Sequence, residues 1–224
     1  MCQTIEGRPM AGCGGCCGSE ARFEGLSPAY RRALWAVIAI NAAMFAIEMG
    51  AGVRAGSQAL KADALDFLGD TLTYGLSLAV IGHGLAVRAR AALFKGLSLA
   101  LMGAWVLGST LYRAFVLGAP DEVVMGAVGL LACAANLASV LILLRHRDGD
   151  ANVRSVWLCS RNDAIGNLAV VGAAVAVGAT GSGWPDLAVA AAMAGLFLHS
   201  ATRITVQALG EMAEARDRAS AQEG

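Results

Sequence analysis

Four residues of this sequence combine metal-capable side chains with helical spacing: Asp66, Asp70, Cys159 and Asp163. Asp66 and Asp70 stand four apart in Leu60-Lys61-Ala62-Asp63-Ala64-Leu65-Asp66-Phe67-Leu68-Gly69-Asp70. Cys159 and Asp163 stand four apart in Trp157-Leu158-Cys159-Ser160-Arg161-Asn162-Asp163. On an α-helix, such pairs share one face, one turn apart. Two such faces turned toward each other would supply the four donors of a tetrahedral divalent site. Carboxylates alone suit Mg²⁺, Mn²⁺ or Ca²⁺. A thiolate in the set moves the preference to Zn²⁺ and to the softer Cd²⁺. Carboxylates crowded into one site also favour holding protons while it is empty. Metal entry would expel those protons, which is a chemical basis for exchanging metal against protons.

The elements that must position these residues are membrane helices. The chain has 224 residues, 57% hydrophobic and 15% charged, where a soluble domain carries about a quarter charged. Six stretches reach the roughly 20 residues a span requires: Leu34–Val53, Leu60–Ile81, Leu97–Leu117, Val123–Leu144, Val153–Val177 and Leu187–Leu209. They are long, rich in Ala and Leu, and not alternating, which selects helix over strand. The expected fold is all-α: a six-helix transmembrane bundle over residues 29–211, between a flexible Cys-rich tail (1–28) and a short polar tail (212–224). A charged side chain at mid-span costs about 2.5–3.5 kcal/mol on insertion scales. Several central carboxylates with no central cation to match them therefore point to function. Arg161 lies two residues from Asp163 and faces elsewhere on the helix.

The net charge is zero and suggests no nucleic-acid partner. Lys and Arg concentrate in the N-terminal tail, in the links holding Arg88, Arg90 and Lys95 and Arg145, Arg147 and Arg154, and in the C-terminal tail. The positive-inside rule then places both termini in the cytoplasm, making this an integral protein of the cytoplasmic membrane. The N-terminal tail has no apolar core of the secretory type.

Other polar residues form a second rank. Asp63 precedes Asp66 by three, and Asn162 is a reserve ligand beside Asp163. Glu48 lies near the outer end of span one, where it lines a vestibule or reaches the interface. His83 sits at a cytosolic span end, solvated, with an entry ligand as its lesser reading. Asn136 and Asn167 suit interhelical hydrogen bonds, and His199 suits a core position or a proton relay. Cys13-Gly-Gly-Cys16-Cys17 puts two or three thiolates within reach of one soft metal ion, or leaves free thiols in a flexible tail.

The run Ser57–Asp70 resembles the second span of the cation diffusion facilitator family. Cys159–Asp163, with Gly166-Asn167 after it, resembles the fifth, and Trp184-Pro185-Asp186 is similar to the opening of the sixth. The resemblance implies export of a divalent metal, commonly Zn²⁺, against protons by alternating access in a homodimer. It implies a central site made of Asp66, Asp70, Cys159 and Asp163, with Cys159 where zinc members usually carry His. Members usually continue into a cytosolic metal-binding domain. This sequence ends soon after its last span, so the dimer is expected to form through the membrane helices. The metal is cargo, so neither a prosthetic group nor an enzymatic activity is expected. The alternatives are a passive divalent-metal channel, a metal-binding membrane protein and, remotely, an intramembrane aspartyl protease. The protease motif Gly-x-Gly-Asp is only half matched by Phe67-Leu68-Gly69-Asp70 and leaves Asp66 unexplained.

Overall fold

Helix breakers separate the apolar runs. Gly56 turns the chain with φ 71°, a conformation only glycine adopts freely, and Ser57 follows as a helix cap. The Asp121 carboxylate accepts from the N–H groups of Val123 (3.1 Å) and Val124 (3.0 Å), starting the fourth helix. Gly181 (φ 63°) ends the fifth, and Pro185 occupies the first turn of the sixth, where it lacks no needed donor.

A computed structural model describes residues 28–79, 84–116, 118–144 and 151–223, with the side chains of 77, 85, 151–162 and 217–223 excepted. Its six helices are α1 (Pro28–Ala55), α2 (Gln58–Ala79), α3 (Leu85–Phe115), α4 (Glu122–Leu144), α5 (Ala151–Thr180) and α6 (Trp184–Glu223). The described residues contain no strand. Among the described residues, five helices are long and apolar enough to cross a membrane: α1, α3, α4, α5 from Asp163 onward, and α6. The expectation of six apolar spans is thus met by five. The exception is α2, whose 22 residues include Lys61, Asp63, Asp66 and Asp70. At 1.5 Å per residue it is about 33 Å long, enough to match the hydrocarbon layer in length though not in hydropathy. Its position fits that composition, because among the described residues α2 packs against all five other helices.

Two helices run furthest beyond the spans expected from the sequence. Helix α3 begins at Leu85, so Arg88, Arg90 and Lys95 stand in its first turns rather than in a link. Helix α6 continues to Glu223, through most of the stretch expected as a tail. Lys, Arg, Glu and Ala are good helix formers, so polarity can end a membrane span without ending a helix.

Packing fixes the helix directions. The start of α1 (Tyr30, Leu34, Val37, Ile38) clusters with Tyr74 late in α2 and Leu143 late in α4. Both α2 and α4 therefore run antiparallel to α1. At the end away from the termini, here called distal, Ala59 and Leu60 of α2 cluster with Met125 of α4 and Val170, Ala173 and Ala174 of α5. The pairing of Met125 with that part of α5, and of Cys133 with Ala164 further along, makes α5 antiparallel to α4. The most extensive contact is α3 on α6. It depends on Gly103, where a Cβ would lie 3.0–3.1 Å from Leu198 Cγ and Cδ2 and from Phe197 Cβ. Gly103→Leu is expected to destabilise the protein by about 1–3 kcal/mol through overpacking, seen as a lowered melting temperature in detergent. Gly108→Leu is the control, since a Cβ there meets nothing within 4 Å; equal effects of the two would refute the close-packing argument.

Candidate metal centre

The depth of each candidate ligand follows from contacts between neighbouring residues. Phe67 of α2 packs with Met44 of α1 and Ala132 of α4. The next residue of α4, Cys133, directs its Sγ to the Ala164 carbonyl of α5 at 3.7 Å. Phe67, Ala132 and Ala164 thus share one level. Asp66 immediately precedes Phe67, and Asp163 immediately precedes Ala164. Asp70 lies one turn nearer the termini on α2. On the antiparallel α5, the same displacement leads to position 159. Since α2 and α5 are in contact, the structure brings the Asp66/Asp70 segment and Asp163 to matching depth on adjoining helices. All three aspartates are half-buried.

Asp70 is also oriented. The Tyr74 hydroxyl, one turn along α2, donates to Asp70 Oδ2 at 2.8 Å. Tyr74 itself is buried in the cluster with Tyr30 and Leu34, so the carboxylate is held from a packed base. Its i, i+4 relation to Asp70 was the sequence signal for this role.

Among the described residues no three His, Cys, Asp or Glu side chains stand close enough to hold one ion. The Cys159 and Asn162 side chains lie outside the described set, as do His83, Cys13, Cys16 and Cys17.

The accessory residues rearrange the expectation. Glu48 is 0% exposed, so it neither lines a wetted vestibule nor reaches the interface. Its carboxyl lies beside that of Asp63, itself 1% exposed. Both Glu48 oxygens and Asp63 Oδ2 meet no donor. Asn167, one turn distal of Asp163, is buried with neither amide atom bonded, so the interhelical hydrogen bond expected of it is not made. His199 is exposed on α6 rather than set in the core.

A further polar assembly, unforeseen in the sequence, anchors the distal end of α2. Buried Asp186, in the first turn of α6, accepts from Ser57 Oγ (2.6 Å) and from the backbone N–H groups of Gln58 (2.8 Å) and Ala59 (3.0 Å). Ser57 Oγ in turn accepts from the N–H of Leu60 (3.0 Å). One carboxylate thereby satisfies the exposed donors of the α2 N-terminus and complements its dipole. Ser109 of α3 donates to Gln58 Oε1 (3.0 Å), Arg113 of α3 to the Gly56 carbonyl (2.8 Å), and the Asp121 N–H to the Ala55 carbonyl (3.0 Å). These bonds set the height and rotation of α2, and so of Asp66 and Asp70. An acidic residue in the first turn of a helix was the only hint of this in the sequence.

No protein-family model matches the chain. Over 175 residues it is 28% identical to the metal cation efflux system protein CzcD of Cupriavidus metallidurans, and equally to the cation efflux system protein CzcD of an Alcaligenes species. The match covers 71% of this chain and 54% of each relative, so the chain spans about half the length of the curated relatives it matches. Both relatives fit the resemblance to the cation diffusion facilitator family read from the motifs of spans two and five.

Proposed function

We propose that this relative of cation efflux proteins carries a divalent transition metal, Zn²⁺ or Cd²⁺, out of the cytosol in exchange for protons. The observation that supports this reading best is the matched depth of Asp66, Asp70 and Asp163 on the contacting helices α2 and α5. Position 159 lies one turn from Asp163, on the side nearer the termini. Asp66, Asp70, Cys159 and Asp163 are the proposed ligands. With both termini cytoplasmic, Asp70 and Cys159 meet the incoming ion first. Carboxylates and a thiolate offset the ion's charge after it sheds its water, and their protons leave as it enters. Alternating access, which the resemblance to the cation diffusion facilitator family implies, is the proposed mode of transport. The proposed working unit is a homodimer joined through its membrane helices.

Proteoliposomes test the exchange. Zn²⁺ uptake should rise with an imposed proton gradient. Uptake indifferent to that gradient would refute exchange and favour a passive channel. The thiolate has its own signature. Cys159→Ser should weaken Zn²⁺ and Cd²⁺ binding by at least about tenfold, since even outer-shell changes cost that much, and should affect Mn²⁺ far less. Titration of the purified protein with the three metals measures this, and equal losses for all three would remove Cys159 from the ligand set in favour of Asn162 or a water.

A further inference from the structure

We propose that Glu48 and Asp63 form a proton-binding site of their own, one helical turn distal to the metal ligands, and that its proton is exchanged during transport. The proposal rests on the exchange reading above and adds to it a second place where a counter-ion is held. Glu48 follows Met44 by four and Asp63 precedes Phe67 by four, and Met44 and Phe67 pack together. The two carboxyls therefore meet on the distal side of that contact. They are fully buried and touch each other. Three of their four oxygens reach no donor. Two bare carboxylates in this arrangement would combine desolvation with repulsion and leave three oxygens without a hydrogen bond. The only donor the pair can supply is the O–H of a carboxylic acid. One proton placed between the two groups turns a repulsive contact into a hydrogen bond.

The charged groups around the pair leave this role to the proton. On α2 itself are Lys61, whose stem packs on Gly52 of α1, and Asp66. From α3 comes Arg113, bonded to the Gly56 carbonyl. From α6 comes Asp186, occupied by the α2 N-terminus. Helix α4 carries only Glu122, at its start, and α5 presents Asp163 one level nearer the termini. A divalent ion at Asp66, three residues from Asp63, repels a proton on the pair in this low-dielectric interior. The O–H bond then breaks, its electrons stay on the carboxylate, and the proton passes to water. Departure of the metal reverses the step.

The test uses the full chain in proteoliposomes, with Zn²⁺ as the only metal and the membrane voltage clamped. Glu48→Gln and Asp63→Asn should each exchange one proton fewer per ion. At a one-unit pH gradient this appears as about tenfold less accumulated Zn²⁺. Wild-type accumulation indifferent to the gradient would overturn the exchange reading itself. Wild-type dependence kept in full by both variants would overturn the proton site alone. Loss of Zn²⁺ binding as complete as in Asp163→Ala would also overturn it, by making the pair metal ligands. Infrared spectroscopy decides without reconstitution: beyond any signal from the metal ligands, the metal-free wild type should show a protonated-carboxyl component that Glu48→Gln removes, and a spectrum that Glu48→Gln leaves unchanged overturns the proposal. A wild type without such a component overturns it as well.

Discussion

Asp163→Ala is expected to abolish metal transport while leaving the fold intact. Asp163 sits beside Ala164, whose carbonyl meets Cys133, at the level where Phe67 and Ala132 place Asp66. It is the one carboxylate that α5 carries. Changes in the shell around a metal's ligands already cost about 10–100-fold in affinity, so removing a ligand should cost more. A competition assay with a chelating dye reads the affinity, and proteoliposome uptake reads the transport. Alanine is the best helix former, so the substitution leaves α5 its helical preference. The melting temperature should stay near that of the wild type. Lost binding with unreduced stability marks a residue kept for function, whereas unchanged Zn²⁺ affinity would refute the proposed site. Asp70→Ala should behave in the same way, and it also leaves the Tyr74 hydroxyl without its acceptor.

Asp186→Ala should do the reverse, with stability lost first. The change removes the acceptor for one hydroxyl and two backbone N–H groups at the α2 N-terminus, all buried. Each orphaned buried donor costs about 1–3 kcal/mol, more when its acceptor was charged. Because the three share one site, their losses do not simply add; a total of about 3–5 kcal/mol is expected. Thermal unfolding in detergent measures this. Asp186→Asn, which keeps one acceptor oxygen, should fall between the two. A melting temperature equal to wild type for Asp186→Ala would mean that α2 is anchored by something other than this carboxylate. The two aspartates therefore separate by experiment: Asp163 acts on the metal, and Asp186 acts on the helix that carries Asp66 and Asp70.

The i, i+4 pairs, the helical character of the apolar runs and the breakers between them were all legible in the chain, because each depends on residues within a few positions of one another. Asp66 and Asp70 share a face through helical geometry alone, and Gly56 and Gly181 fall where the helices turn. Hydropathy also singles out α2 as the helix that cannot face lipid all round, since its charges are local facts of composition. Other features depended on how each helix is rotated and slid against its neighbours. The meeting of Glu48 with Asp63, the capture of the α2 N-terminus by Asp186 from 127–129 residues away, and the common depth of Asp66 and Asp163 are of this kind. Periodicity tells which residues share a face but not which helix that face meets. That choice falls to close-packed contacts such as Gly103 on Leu198 and Phe67 on Ala132, which are long-range and set axial register residue by residue. The sequence by itself determined which groups could bind a metal. The tertiary structure decided that Asp63 meets Glu48, because the packing of α1 on α2 around Met44 and Phe67 buries the two carboxyls side by side.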